Sequence, residues 1–127
     1  MSGRGQFVDD LRLPGLLYAA VLRSPHAHAR IQQFDAGEAL QTPGVVAVVT
    51  PEDIKQMTKP FRPGRYAAGL RAPVSEYATA TELVRYVGEP IAAVAARDRA
   101  DAEDALSLFS VDYEPLPVVI STTEAMK

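Results

Sequence analysis

The apolar residues of this 127-residue chain fall into short runs that are separated by proline and glycine. The clearest runs are residues 16–22, 45–50 and 91–96, each close to turn-forming residues. Runs of this length predict buried β-strands, because a helix usually needs ten or more residues to bury one face. Looser patterns predict further strands at residues 29–34, 83–90 and 110–114.

Helical signals are fewer. Asp98 is a suitable N-cap, Asp101 lies in the first turn that follows, and apolar residues recur at helical spacing over residues 102–109. A short helix is predicted near residues 35–40, and Pro51 suits the first position of another. The order of elements predicts one α+β domain over residues 1–127, with mixed sheet layers, one main helix and short helices.

Two connections stand out. Residues 56–80 keep no apolar period and predict an irregular loop, in which Arg62, Arg65 and Arg71 could bind an anionic substrate, form ion pairs at an interface or remain solvated. By contrast, Gly88, Glu89 and Pro90 lie between two apolar runs. Glycine accepts backbone angles that other residues resist, so a tight turn between two antiparallel strands is predicted there.

Nothing in the sequence forms a recognisable catalytic, cofactor-binding or metal-binding set. His26 and His28 are the only histidines and no third ligand is evident, so the segment favours a turn in which the imidazoles bond to backbone over a metal site. The carboxylates of the predicted main helix suit a solvated face with favourable first-turn charge. Without cysteine, the chain supplies no disulfide, no iron–sulfur ligand and no thiol nucleophile.

The composition also limits the kinds of partner and the location that are expected for this chain. The net charge of −3 is too mild to suggest nucleic acid or an anionic membrane surface. No run of about 18 apolar residues is present, as a membrane span would require. The first residues lack the apolar core of a secretory signal, and the absence of cysteine fits a cytoplasmic location.

Three long segments carry a family resemblance. Residues 7–31 read FVDDLRLPGLLYAAVLRSPHAHARI, residues 43–50 read PGVVAVVT, and residues 84–95 read VRYVGEPIAAVA, with the last segment continuing to residue 117. In order and spacing they resemble the opening of large subunits in the xanthine dehydrogenase/aldehyde oxidase family, including the carbon monoxide dehydrogenase type. The resemblance implies an α/β hammerhead domain, either as a fragment or as a separately encoded N-terminal domain.

The resemblance also implies what the intact complex contains. Molybdenum with molybdopterin cytosine dinucleotide, [2Fe-2S] clusters and FAD would be held by other domains and subunits, and this chain would hold none of them. The expected partners are the molybdenum-binding domains of the same subunit and the iron–sulfur and flavin subunits. In the intact complex the irregular loop would lie near a substrate funnel or an interface. The residues expected to make contact there are Arg62, Arg65, Tyr66, Arg71 and Tyr77.

Two functions therefore compete. The first is a structural domain of a molybdenum-dependent hydroxylase or dehydrogenase, inactive by itself. The second is a stand-alone binding or interaction module that uses residues 56–80 to hold a ligand or partner.

Overall fold

The fold is built from two three-stranded antiparallel sheets and four short helices among the residues that the structure describes. That structure is a computed structural model, and it describes residues 5, 7, 10–61 and 76–126. The strands are β1 (Tyr18–Arg23), β2 (Ala29–Asp35), β3 (Val45–Val49), β4 (Leu83–Val84), β5 (Pro90–Ala96) and β6 (Ser110–Pro115). The helices are α1 (Gly37–Gln41), α2 (Pro51–Met57), α3 (Arg99–Leu106) and α4 (Thr122–Ala125).

The strand order is β1-β5-β3 in the first sheet and β4-β2-β6 in the second. This mixture of small sheets with one main helix, α3, confirms the predicted α+β class. Asp98 caps α3 as expected, because its carboxylate accepts a hydrogen bond of 2.8 Å from the backbone N–H of Ala100. Within the described ranges, no helix has the length and apolar character that crossing a bilayer requires.

The core is small and centres on β5, whose residues pack in two clusters. Ile91 packs with Val84 and Ala29, while Val94 packs with Ala102 and Ala105 of α3. Alanine supplies most of the buried apolar positions, and the three largest fully buried side chains are only Ile91, Val84 and Val94. A core of such small side chains lets α3 lie close to the sheet. Larger apolar residues, such as Phe34 and Phe109, pack against this core and are only partly buried.

The turn at Gly88 corrects one prediction. Gly88 has a φ of +87°, which glycine adopts without strain. However, the strands on either side belong to different sheets, since β4 pairs with β2 whereas β5 pairs with β1 and β3. The turn is therefore a crossover between sheets and not the loop of a hairpin. Only two residues of the predicted strand at 83–90 pair as a strand, because their partner β2 begins at that point.

The start of α2 is fixed by a reciprocal cap. The backbone N–H of Asp53 donates to the hydroxyl of Thr50, and the Asp53 carboxylate accepts from the Thr50 N–H at 2.8 Å and from its hydroxyl at 2.7 Å. These two hydrogen bonds lower the pKa of Asp53 below its ordinary value, and the bond from the Thr50 hydroxyl has the larger effect. The helix continues to Met57, so the irregular loop begins at residue 58 and not at residue 56.

We expect Thr50→Val to lower the free energy of unfolding by about 1 kcal/mol at neutral pH, since it removes the hydroxyl of an N-cap. The pKa of Asp53 should rise toward its ordinary value in the variant. A lowered folded-state pKa contributes stability above the unfolded-state pKa, and this contribution is lost as the pH falls through the folded-state value. Urea unfolding at several pH values, together with an NMR titration of Asp53, measures both effects. An unchanged pKa would contradict the role of the hydroxyl.

Candidate functional site

The two histidines lie in the connection just before β2, and both have structural contacts. The Nδ1 atom of His28 lies 2.7 Å from the carbonyl oxygen of Pro117. The ring of His26 packs against the ring of Tyr113, with 4.8 Å between centroids, so the expectation of backbone bonding holds for His28 only. Burial raises the pKa of the Tyr113 phenol. Among the residues that the structure describes, no three His, Asp or Glu side chains are grouped so that they could hold a metal ion.

The turn at residues 86–88 is tied to the end of β1 by a set of backbone hydrogen bonds. The N–H of Gly88 donates to the carbonyl of Ser24 at 2.8 Å, and the N–H of Ser24 donates to the carbonyl of Glu89 at 2.9 Å. The guanidinium of Arg23 donates to the carbonyl of Gly88 at 2.9 Å. Pro90 begins β5, and its carbonyl accepts from the buried Ala80. This turn therefore joins both sheets at one place.

Glu89 is the most buried charged side chain at that junction, with 6% of its surface exposed. Its carboxylate accepts a hydrogen bond from the backbone N–H of Arg85, and a second carboxylate oxygen lies 3.8 Å from the Arg85 guanidinium. The same guanidinium lies 3.9 Å from the carboxylate of Glu76. Arg85 thus connects the turn to the segment that follows the irregular loop.

Only the two ends of that loop are described. Phe61 and Glu76 form an isolated antiparallel bridge through backbone hydrogen bonds of 3.0 and 3.2 Å, so the loop closes at its base. Tyr77 is half-buried beside this bridge and lines a small cavity with Glu76 and Arg85. The other predicted loop residues, Arg62, Arg65, Tyr66 and Arg71, lie outside the described residues.

Large apolar side chains lie on the surface in two groups that sequence reasoning did not single out. The first group, here called the leucine surface, consists of Leu11, Leu13, Leu16 and Leu17. These residues precede β1 and border a cavity of about 330 Å³ whose other wall includes Ala102 and Glu103 of α3. Leu16 and Leu17 correct part of a prediction, because they were expected to begin a buried strand, whereas β1 begins at Tyr18 and both leucines are exposed.

The second group, here called the tail surface, consists of Tyr86, Val87, Val118, Val119 and Ile120. The two valines of the tail line a cavity of about 270 Å³ together with His28 and Arg85. Large exposed apolar patches mark interaction sites in many proteins. The described residues therefore present exposed apolar side chains and no grouped metal ligands.

The family called aldehyde oxidase and xanthine dehydrogenase, a/b hammerhead domain, matches residues 2–117 of the chain. The chain belongs to this hammerhead family. Its sequence is 41% identical over 126 residues to the carbon monoxide dehydrogenase large chain of Afipia carboxidovorans, covering 99% of this chain and 15% of that protein. It is 37% identical to the xanthine dehydrogenase molybdenum-binding subunit of Escherichia coli O157:H7, covering 98% of this chain and 17% of that one.

A solved structure supports the same assignment. The hammerhead domain superimposes on quinoline 2-oxidoreductase from Pseudomonas putida 86 with a TM-score of 0.90 and 38% identity, covering 98% of this chain and 16% of that chain. The hammerhead domain thus spans about one sixth of the proteins that it matches. In those relatives the matched segment is part of a much longer chain.

The hydrogen bond from His28 fixes the tail of the hammerhead domain. Because a carbonyl oxygen only accepts, Nδ1 of His28 must carry the proton and donate to Pro117. We expect His28→Ala to lower the free energy of unfolding by about 1 kcal/mol. His28→Asn, whose amide N–H reaches a similar position, should recover part of that loss. Urea unfolding of both variants measures this, and equal losses would show that ring packing matters and the hydrogen bond does not.

Proposed function

We propose that this hammerhead domain is the N-terminal structural domain of the large subunit of a molybdenum-dependent hydroxylase or dehydrogenase, of the xanthine dehydrogenase, aldehyde oxidase or carbon monoxide dehydrogenase type. The observation that carries the proposal is that the chain covers only a small part of its relatives and also exposes many apolar side chains. The chain matches one seventh to one sixth of large oxidoreductase subunits, and many of its large apolar side chains are exposed outside a small core. A domain of this kind positions its neighbours and does no chemistry alone.

The residues of this chain offer no ligand set for an iron–sulfur cluster, and its described residues offer none for a metal ion. Iron–sulfur clusters need cysteine ligands and the sequence has none, while the described residues offer no three-carboxylate or histidine group for a metal. In the intact complex, molybdopterin cytosine dinucleotide with molybdenum would belong to the later domains of the large subunit. The [2Fe-2S] clusters and FAD would belong to partner subunits, and we expect the assembly to be cytoplasmic.

The irregular loop has its own place in the proposal. Its two described ends meet in the Phe61–Glu76 bridge, and the Glu76 carboxylate lies 3.9 Å from the Arg85 guanidinium. Arginines and aromatic residues in such a loop suit contact with a substrate funnel or a neighbouring subunit. The residues concerned are Arg62, Arg65, Tyr66, Arg71 and Tyr77.

A replacement experiment tests the proposal. These 127 residues would replace the matched segment in the carbon monoxide dehydrogenase large chain of Afipia carboxidovorans, with the native enzyme and a second replacement from the Escherichia coli xanthine dehydrogenase subunit as controls. We expect an assembled, molybdenum-containing enzyme with activity. We also expect the isolated chain to carry no stoichiometric molybdenum, iron or flavin and to lack dehydrogenase activity, by elemental analysis and assay.

Two results would contradict this proposal. If the control replacement assembles and this chain does not, the chain does not act as such a domain. If the isolated chain instead binds a ligand or partner, and loses that binding when residues 62–75 are shortened, the alternative of a stand-alone module is supported.

A further inference from the structure

The two described ends of the irregular loop meet in one residue pair. The backbone N–H of Phe61 donates to the carbonyl of Glu76 at 3.0 Å, and the N–H of Glu76 donates to the carbonyl of Phe61 at 3.2 Å. An antiparallel pair that exchanges both bonds is of the closely spaced kind. The two residues that flank a two-residue hairpin loop form a pair of this kind. Phe61 and Glu76 therefore have the backbone arrangement that closes a hairpin, although the sequence places residues 62–75 between them.

The segment before this pair is held by contacts that do not involve residues 62–75. The N–H of Thr58 donates to the carbonyl of Ile54 at 3.0 Å, at the end of α2. Lys55 of the same helix lies 2.8 Å from the carboxylate of Glu82, which follows the pair in the sequence. This ion pair joins the segment before Phe61 directly to the segment after Glu76.

The segment after the pair is bonded to both sheets. The N–H of the buried residue Ala80 donates to the carbonyl of Pro90 in β5 at 2.7 Å. The carbonyl of Glu82 accepts a hydrogen bond of 2.8 Å from the N–H of Ile31 in β2. Because both ends of the irregular loop are fixed by the rest of the domain, the positions of Phe61 and Glu76 have supports other than the residues between them.

We propose that Phe61 and Glu76 close a hairpin into which residues 62–75 are inserted, so that the fold of the domain depends on neither the sequence nor the length of this insert. Once the ends of a loop are held, a longer loop adds little cost, because the entropy of closure grows only with the logarithm of loop length. The inference goes beyond the proposed function and does not depend on it. Where that function holds, a change in the insert alters the contacts of the domain without altering the domain.

Two replacements of residues 62–75 in the 127-residue chain test the proposal. The first uses Asn-Gly, which is favoured in two-residue hairpin loops, and the second uses a flexible Gly/Ser sequence of unchanged length. We expect both chains to unfold cooperatively, with a Tm within about 5 °C of that of the unsubstituted chain. The rates of hydrogen exchange at the amides of Ala80 and Ile31 should stay within about threefold.

Two substitutions in the Asn-Gly chain examine the closing pair itself. Phe61→Pro removes the N–H that donates to Glu76, whereas Phe61→Ala keeps this N–H and removes a side chain that is 59% exposed. We expect Phe61→Pro to lower the Tm by about 5 °C or more beyond the effect of Phe61→Ala. Equal effects of the two substitutions would show that the pair does not close a hairpin.

The two replacements also separate the parts of the proposal. If neither chain folds, the domain needs the insert, and the proposal is overturned. If only the Gly/Ser chain folds, the sequence of the insert is dispensable, but the closing of a short hairpin by Phe61 and Glu76 is contradicted. Faster exchange at Ala80 or Ile31 in a chain that stays folded would show that the insert stabilises the connection to the sheets, which also contradicts the proposal.

Discussion

Replacing Gly44 with alanine is expected to lower the free energy of unfolding by about 3 kcal/mol, from two separate causes. Gly44 has a φ of +90°, in the left-handed region where a side chain is strained. A Cβ atom built there would also lie 2.0 Å from a carboxylate oxygen of Asp101 and 3.3 Å from its Cβ. The backbone cannot easily retreat, because the carbonyl of Gly44 accepts a hydrogen bond of 2.9 Å from the N–H of Arg97.

The chain offers a matched control for this prediction. Gly15 has a φ of +77°, and an added Cβ would meet nothing within 4 Å. Gly15→Ala should therefore show the backbone cost alone, about 1 kcal/mol. In the double variant Gly44→Ala with Asp101→Ala, removal of the carboxylate should return the loss toward that of Gly15→Ala. Urea unfolding of the four proteins measures these differences, and equal losses for the two glycine variants would show that Asp101 simply rotates away.

Local signals predicted the elements of the fold well. The run at residues 91–96 predicts a strand although alanine permits a helix, and it forms β5, the central strand of the first sheet. A small residue suits this strand because Val94 and Ala96 share a cluster with Ala102 and Ala105 of α3. The sequence also carries the signals of two helix caps. Thr50 precedes Asp53 by three residues at the start of α2. Ser121 precedes Glu124 by three residues at the start of α4, a helix that was not predicted.

Strand partnership was less predictable because it depends on distant residues. β2 pairs with β6 about eighty residues later, and nothing local in either strand indicates this choice. The same limit explains the turn at Gly88. Two neighbouring apolar runs joined by a glycine suggest a hairpin, but here each run finds its partners in a different sheet.

The candidate site was predicted only in part. The sequence directed attention to residues 56–80, because a long stretch without an apolar period is conspicuous. The leucine and tail surfaces were harder to recognise, since an exposed apolar residue and a buried one look alike in a sequence. Only the three-dimensional core, filled mainly by alanine, shows that Leu13 and Ile120 remain outside it.

The second large effect is expected at Glu89, the buried carboxylate of the junction between the sheets. Glu89→Ala should lower the free energy of unfolding by about 3 kcal/mol, because it leaves the backbone N–H of Arg85 without its acceptor and opens a small cavity. The guanidinium of Arg85 would also lose a charged neighbour at 3.8 Å. The destabilisation should include the turn, because the backbone carbonyl of Glu89 accepts a hydrogen bond from the N–H of Ser24, just after β1.

Two further variants separate the hydrogen bond from the charge. Glu89→Gln keeps an oxygen that can accept from the Arg85 N–H, so we expect it to lose about half as much stability as Glu89→Ala. Glu114 is a matched control, because it is another glutamate beside an arginine, 3.5 Å from Arg30, with 52% of its side chain exposed. Glu114→Ala should change stability by less than about 1 kcal/mol, as exposed ion pairs do. If urea unfolding gives similar losses for Glu89→Ala and Glu114→Ala, burial of the carboxylate does not matter, and the junction must be held mainly by the backbone hydrogen bonds between Ser24, Gly88 and Glu89.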